Sequence, residues 1–312
     1  MAAFAIIVLI VAHRILRFDM LSDDFLMLRP QAVLLTLLAL AVPLALWRRQ
    51  LTLRFSTVLA VQWSLFLWAL ISRLVSDGVD ELLPFLIGDY AKDLGFSTLL
   101  GVLTTNPRRQ RVIYATFVLA MLFAAIVSIP QRFGPKQCHY FRFASQLNYE
   151  QTSDRRPCQS TAECYTVPQH EQHLRDFGWA CERTGPLGLA TVVDRIHYTG
   201  NLLDPNALAL ALVMAAALLV GLATWPDPSP RRWLWLIGLP VLGLAVILAA
   251  SRAAQVAMGA VLLCFFYFRV GISGAVLAAV LSSPLLLIST RNEAEAAYST
   301  VTRIMRTSRH AL

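Results

Sequence analysis

The sequence predicts an all-α polytopic membrane protein with about nine transmembrane helices and one large disulfide-bearing loop on the outer face. Three observations predict it. Apolar residues make up 57 % of the 312-residue chain and charged residues only 15 %, against about 25 % in an ordinary soluble domain. The apolar residues fall in long uncharged blocks, and mean hydropathy is +0.58. Four of the five cysteines fall in the single long polar stretch between those blocks. These features exclude a disordered chain, a coiled coil and a small disulfide scaffold. The 27 Lys and Arg and 19 Asp and Glu are too few to clothe a soluble globule of this length. The formal charge of +8 and the pI near 9.6 fit arginine-rich cytoplasmic loops, so no nucleic-acid partner is expected.

The first element, Ala2 to Leu16, is short, because its clean apolar run stops at His13. Arg14 and Arg17 would snorkel. It lacks the basic start and the cleavage site of a signal peptide, so it is expected to stay as a helix. Gln31 to Trp47 and Phe55 to Ser72 are uncharged and close to the ~20 residues a span needs. Leu82 to Leu103 also qualifies, although it carries Asp89, Lys92 and Asp93. Their i, i+3, i+4 spacing puts them on one face, on the order of 10–15 Å below the outer surface. There they form either a structural pair or a substrate contact. Val112 to Pro130 closes an N-terminal region of five helices, residues 1–130. The loop follows as residues 131–200. Residues 201–312 supply Ala207 to Trp225, Trp233 to Ala250, Ala253 to Phe268, Val270 to Thr290 and a short tail.

Arginine bias orients these spans. Arg48, Arg49 and Arg54 share one loop, Arg108, Arg109 and Arg111 a second, and Arg231 and Arg232 a third, each two crossings apart. The Arg73 to Glu81 loop is acidic. The basic loops and the N-terminus are therefore expected in the cytoplasm. Trp47, Trp225, Trp233 and Trp235 stand at the same ends, where amphipathic rings anchor. The 131–200 loop then lies outside, where Cys138, Cys158, Cys164 and Cys181 read as two disulfides with three connectivities open. A metal site with His139, His170 and His173 is the rival, but no C-x-x-C pair supports it. Cys264, alone in a helix, is expected to be a small core residue.

Several charges converge on the outer side. Arg195 lies before the helix that starts near Asp204. Arg252 sits in the hinge Ala249-Ala-Ser-Arg-Ala253, with an uncharged span on each side. Arg73 and Arg291 end two other helices and suit lipid phosphates. Arginine's planar fork matches phosphate and carboxylate. Asp204 can cap the next helix and Pro205 fits its first position. That helix start, beside the arginines, is a candidate anion site.

The order Arg195-x-x-Tyr-x-Gly200-x-x-x-Asp-Pro-Asn206, then Ser251-Arg252 about 45 residues later, resembles the bacterial O-antigen ligase and O-antigen polymerase family. The stretch Cys158-Gln-Ser-Thr-Ala-Glu-Cys164 and the Asp89-Tyr-Ala-Lys92 helix resemble a subgroup of it. The likeness runs from about residue 89 to 309. It implies a multi-pass protein of the bacterial inner membrane with a periplasmic loop, surrounded by membrane lipids. The implied activity is transfer of a glycan from undecaprenyl diphosphate to lipid A-core, or to a growing O-antigen repeat in a polymerase. By resemblance, Arg195 and Arg252 are the catalytic arginines that grip the diphosphate. Asn206, Tyr198, Ser251, Asp204 and Lys92 shape the substrate pocket. Arginines stabilise the leaving diphosphate without a metal or other cofactor. The family's second periplasmic segment, with its functional His, has no counterpart after His310-Ala-Leu312, although Arg303, Arg306 and Arg309 resemble its start. The expectation is a chain truncated at the C-terminus, with no assigned general base and with transfer by this chain alone in question. His197 is expected to be a pocket or surface residue. The alternatives are a member that binds the lipid-linked glycan without transfer, and a transporter built on Asp89, Lys92 and Asp93.

Overall fold

The computed structural model describes residues 2–16, 106–145, 148–164, 178–199, 202–225 and 230–277, with isolated helical positions among 33–101 and at 279–280. Helix α1 covers Ala2–Leu16 and α2 covers Pro107–Ser128, continued by a 3-10 segment over Ile129–Phe133. Strands β1 (Lys136–Ser145) and β2 (Asn148–Pro157), the single-turn helix α3 (Thr161–Cys164) and strand β3 (Gly178–Arg183) follow. After a 3-10 turn at Pro186–Gly188 come α4 (Pro205–Thr224), a 3-10 segment (Pro230–Ile237), α5 (Gly238–Leu248) and α6 (Arg252–Val270).

Among the described residues, three helical runs are long and apolar enough to cross a membrane: Pro107–Phe133, Pro205–Thr224 and Arg252–Val270. Phe4–His13 and Trp233–Leu248 are shorter apolar helices. The expected spans Gln31–Trp47, Phe55–Ser72 and Leu82–Leu103 lie largely outside the described residues, as does the second half of Val270–Thr290. The expected Trp233 to Ala250 helix is only partly α-helical. Its first turns are 3-10 and the α-helix begins at Gly238. The all-α expectation is corrected by the polar loop, which contains a three-stranded antiparallel sheet in the order β2-β1-β3. Its β1–β2 pairing is bulged, two disulfides staple it, and hydropathy does not report such a sheet.

The chain divides into two compact units. The first holds Met1–Arg14 and Met27–Thr116. Within it, the Trp63 indole donates to Thr98 Oγ1 at 3.1 Å, and the Arg109 guanidinium lies 5.7 Å from the Phe4 ring centroid. The start of α2 is set by Asn106, whose Oδ1 accepts from the Arg108 N–H at 2.9 Å, with Pro107 in the first helical position.

The second unit holds Ile15–Leu26 and Phe117–Leu312. Here α4 is the central helix, packed by α5, α6 and the 3-10 segment before α5. Its buried Leu208, Leu212, Ala215, Leu219 and Leu222 recur at helical spacing. Its other face exposes Leu210 and Met214, as a lipid-facing helix does. Gly238 lets α5 start close. A Cβ there would sit 2.9 Å from Leu219 and 3.1 Å from Leu122. Gly271 ends α6 with φ +82° and returns its N–H to the Tyr267 carbonyl, a conformation that favours glycine.

Candidate functional site

The site is built where the loop returns to the helices. Helix α4 begins with Asp204 as its cap and Pro205 in its first turn. Asp204 Oδ1 accepts from the Asn206 N–H at 3.2 Å and from Asn206 Nδ2 at 3.3 Å. Asn206 Oδ1 in turn accepts from Arg195 Nη2 at 2.8 Å. Arg195 Nε donates to the Ala249 carbonyl at 2.8 Å, and the neighbouring Ile196 N–H reaches the Leu248 carbonyl at 3.4 Å. One guanidinium thus joins the end of α5 to the start of α4. Cations are favoured at a helix C-terminus, where carbonyls lack partners.

Ala249 is also three residues before Arg252. Three residues span at most ~11 Å, so the Arg195 guanidinium lies beside the hinge that precedes Arg252. Ala250, between them, has φ +51° and turns the chain sharply. Ser251 is buried and stands at the N-cap of α6, but its side chain makes no cap bond. Arg252 opens α6 and is exposed. The two helix starts differ in their caps. The start of α4 is already served by the Asp204 carboxylate. The start of α6 has no carboxylate cap and carries Arg252. Burial lowers the Arg195 pKa, and the nearby Asp204 charge opposes that shift. The group stays cationic, since arginine does not deprotonate in proteins.

Tyr198 and His197 sit elsewhere than expected. Tyr198 is fully buried, and its hydroxyl donates to the Leu16 carbonyl at 2.9 Å. Burial pushes its pKa up to about 12. It braces the site from behind. His197 is not on the surface, being 1 % exposed. Its Nδ1 lies 2.9 Å from the Tyr198 carbonyl. Burial lowers its pKa, while the carbonyls of Tyr198 and Ala190 pull the other way. Lys92, Asp89, Asp93, Arg73, Arg291, His170 and His173 lie outside the described residues.

The residues that hold Arg195 in place were not visible in the sequence. Gln131 is completely buried and clamps His197. Its Nε2 donates to the His197 carbonyl at 2.8 Å, and its Oε1 accepts from the His197 N–H at 3.2 Å. Ser128 Oγ donates to the same carbonyl at 2.9 Å. Glu182, on β3, accepts from the Thr191 hydroxyl, from the Val193 N–H at 2.7 Å and from the Asp194 N–H at 3.1 Å. Val193 and Asp194 have φ +53° and +57°, an unfavourable region that these bonds stabilise. Asp194 also pairs with Arg132 at 3.3 Å and Arg183 at 3.4 Å. Each contact spans many residues of sequence, so no local motif announces it.

The four loop cysteines form Cys138–Cys164 and Cys158–Cys181. His139 Nε2 meets Thr184 Oγ1 at 2.8 Å, so it serves the sheet beside the disulfides. Cys264 is exposed and not the core residue expected. The chain matches no protein-family model, no curated protein and no solved structure.

Proposed function

We propose that this chain is an O-antigen ligase-like protein of the bacterial inner membrane. In this reading the N-terminus is cytoplasmic and the 131–200 loop periplasmic. The chain transfers a glycan from undecaprenyl diphosphate to lipid A-core or a related acceptor. The observation that carries the reading is the bond from Arg195 to the Ala249 carbonyl, which sets a second guanidinium beside the hinge that carries Arg252. Two fixed cations at the end of apolar helices suit a diphosphate whose lipid tail stays in the bilayer. The start of α6, where Ser251 makes no side-chain cap bond, adds a helix N-terminus to them. A polymerase would use the same arrangement with a different acceptor.

A second reading is favoured by one fact. The Arg195 fork already serves Ala249 and Asn206, as in a protein that holds a lipid-linked glycan without cleaving it. The test is transfer by purified protein from undecaprenyl-diphosphate-linked O-antigen to lipid A-core, read as a glycan ladder. Arg252→Ala and Arg195→Ala are expected to lower turnover about 100-fold or more. Wild-type binding of the donor without any ladder would support the second reading. A ladder unchanged in both variants would remove the first.

A further inference from the structure

The far end of the same helices carries a feature that the arginine cluster does not use. From Arg252 to Arg269 is 17 helical steps, about 25 Å along the axis. There, between α4 and α6, lies a groove of about 570 Å³ lined by Ala217, Val220, Ala260, Cys264, Phe268 and Arg269. Its cause is legible in the residues. Ala217 and Ala260 offer single methyl groups, so the packed helices leave space between them. The walls are apolar. At the mouth stands Arg269, exposed in the last turn of α6, with its guanidinium 5.1 Å from the Trp233 ring centroid. Among the described residues no carboxylate pairs with Arg269.

Two observations select an occupant. The volume lies within the roughly 300–1,000 Å³ of small-ligand sites, far too small for another protein helix. The cation and the tryptophan stand at the end of a membrane-length helix, the depth at which lipid headgroups lie. We propose that the groove binds one acyl chain of an anionic phospholipid, with Arg269 taking its phosphate and Trp233 bracing the guanidinium. The site lies at the opposite helix ends from the Arg195 cluster and does not depend on glycan transfer.

Cys264 lines the groove and is the one cysteine outside the disulfides, so it reports occupancy. The experiment follows its alkylation by N-ethylmaleimide in the full chain, in nonionic micelles. Dioleoylphosphatidylglycerol, dioleoylphosphatidylcholine or inorganic phosphate is added. Phosphatidylglycerol is expected to slow alkylation about fivefold more than phosphatidylcholine, the effect of one arginine on an anionic lipid. Phosphate alone is expected to do nothing. Arg269→Gln should erase the headgroup preference and Arg269→Lys should keep most of it. Ala260→Leu, which fills the groove, should abolish the response to both lipids. Arg195→Ala should leave the response intact, whatever it does to transfer. Equal protection by both lipids, a preference that survives Arg269→Gln, or protection by phosphate alone would overturn the proposal.

Discussion

Arg195 divides its guanidinium between the Ala249 carbonyl and Asn206, and the residues behind it explain why it stays there. Glu182 fixes the two left-handed residues before it, and Gln131 fixes the residue two places after. His197, inside that clamp, makes the arrangement sensitive to acid. Burial holds its pKa below the ordinary 6.5. The unfolded chain takes up a proton near 6.5, whereas the folded chain does so only at lower pH. Between those values the unfolded state binds more protons, so stability falls as pH drops below about 6.5 and is unaffected by this group above it. Unfolding midpoints of wild type and His197→Gln across about pH 5 to 7.5 should therefore converge or cross on the acid side. Parallel profiles would show that His197 does not titrate on unfolding.

At the scale of elements, the sheet is held by covalent links that cross. Cys138–Cys164 has a sequence separation of 26 and Cys158–Cys181 one of 23, and the two closed loops overlap. Three connectivities were equally open to sequence reasoning, because pairing depends on where β2 and α3 return the chain. The hairpin of β1 and β2 followed by the turn of α3 brings Cys164 back to Cys138. Cys158, at the end of β2, meets Cys181 on β3. Loops of this size make each bridge worth about 3 kcal/mol by the chain-entropy account. Cys138→Ser with Cys164→Ser should lower stability of the sheet by about that amount and open residues 136–183 to limited proteolysis. Peptide mapping without reductant should recover the Cys138–Cys164 pair in wild type. A Cys138–Cys181 peptide instead would refute this connectivity. The helices were easier to read than the sheet. A run such as Ala207 to Trp225 is apolar on every side, and Asp204-Pro205 marks its start. Strands β1 and β2 are polar and bulged, so neither hydropathy nor alternation betrayed them.

For the whole molecule, the sequence located the polar insertion and its cysteines, and singled out Arg195 and the hinge that carries Arg252. It could not show that Asp204 caps α4 while Ser251 makes no cap bond at α6, nor that Tyr198 faces inward to Leu16. Those outcomes depend on contacts between residues far apart in the chain, such as Tyr198 with Leu16, for which spacing carries no signal. The clamp between Gln131 and His197 has one more consequence. The insertion leaves the helices beside Ser128 and Gln131 and returns to the same two side chains at His197, so its two ends lie together as in a cassette. A linker of about six residues spans up to ~20 Å and is long enough to replace residues 134–194 while Ser128, Gln131 and His197 remain. Such a shortened chain should still insert and run as a single species in detergent, with its helical circular dichroism melting close to wild type. Aggregation would mean that the helices lean on the insertion. A clean product would make the module exchangeable, so that whatever it adds to the proposed activity can be measured by swapping one cassette for another on unchanged helices.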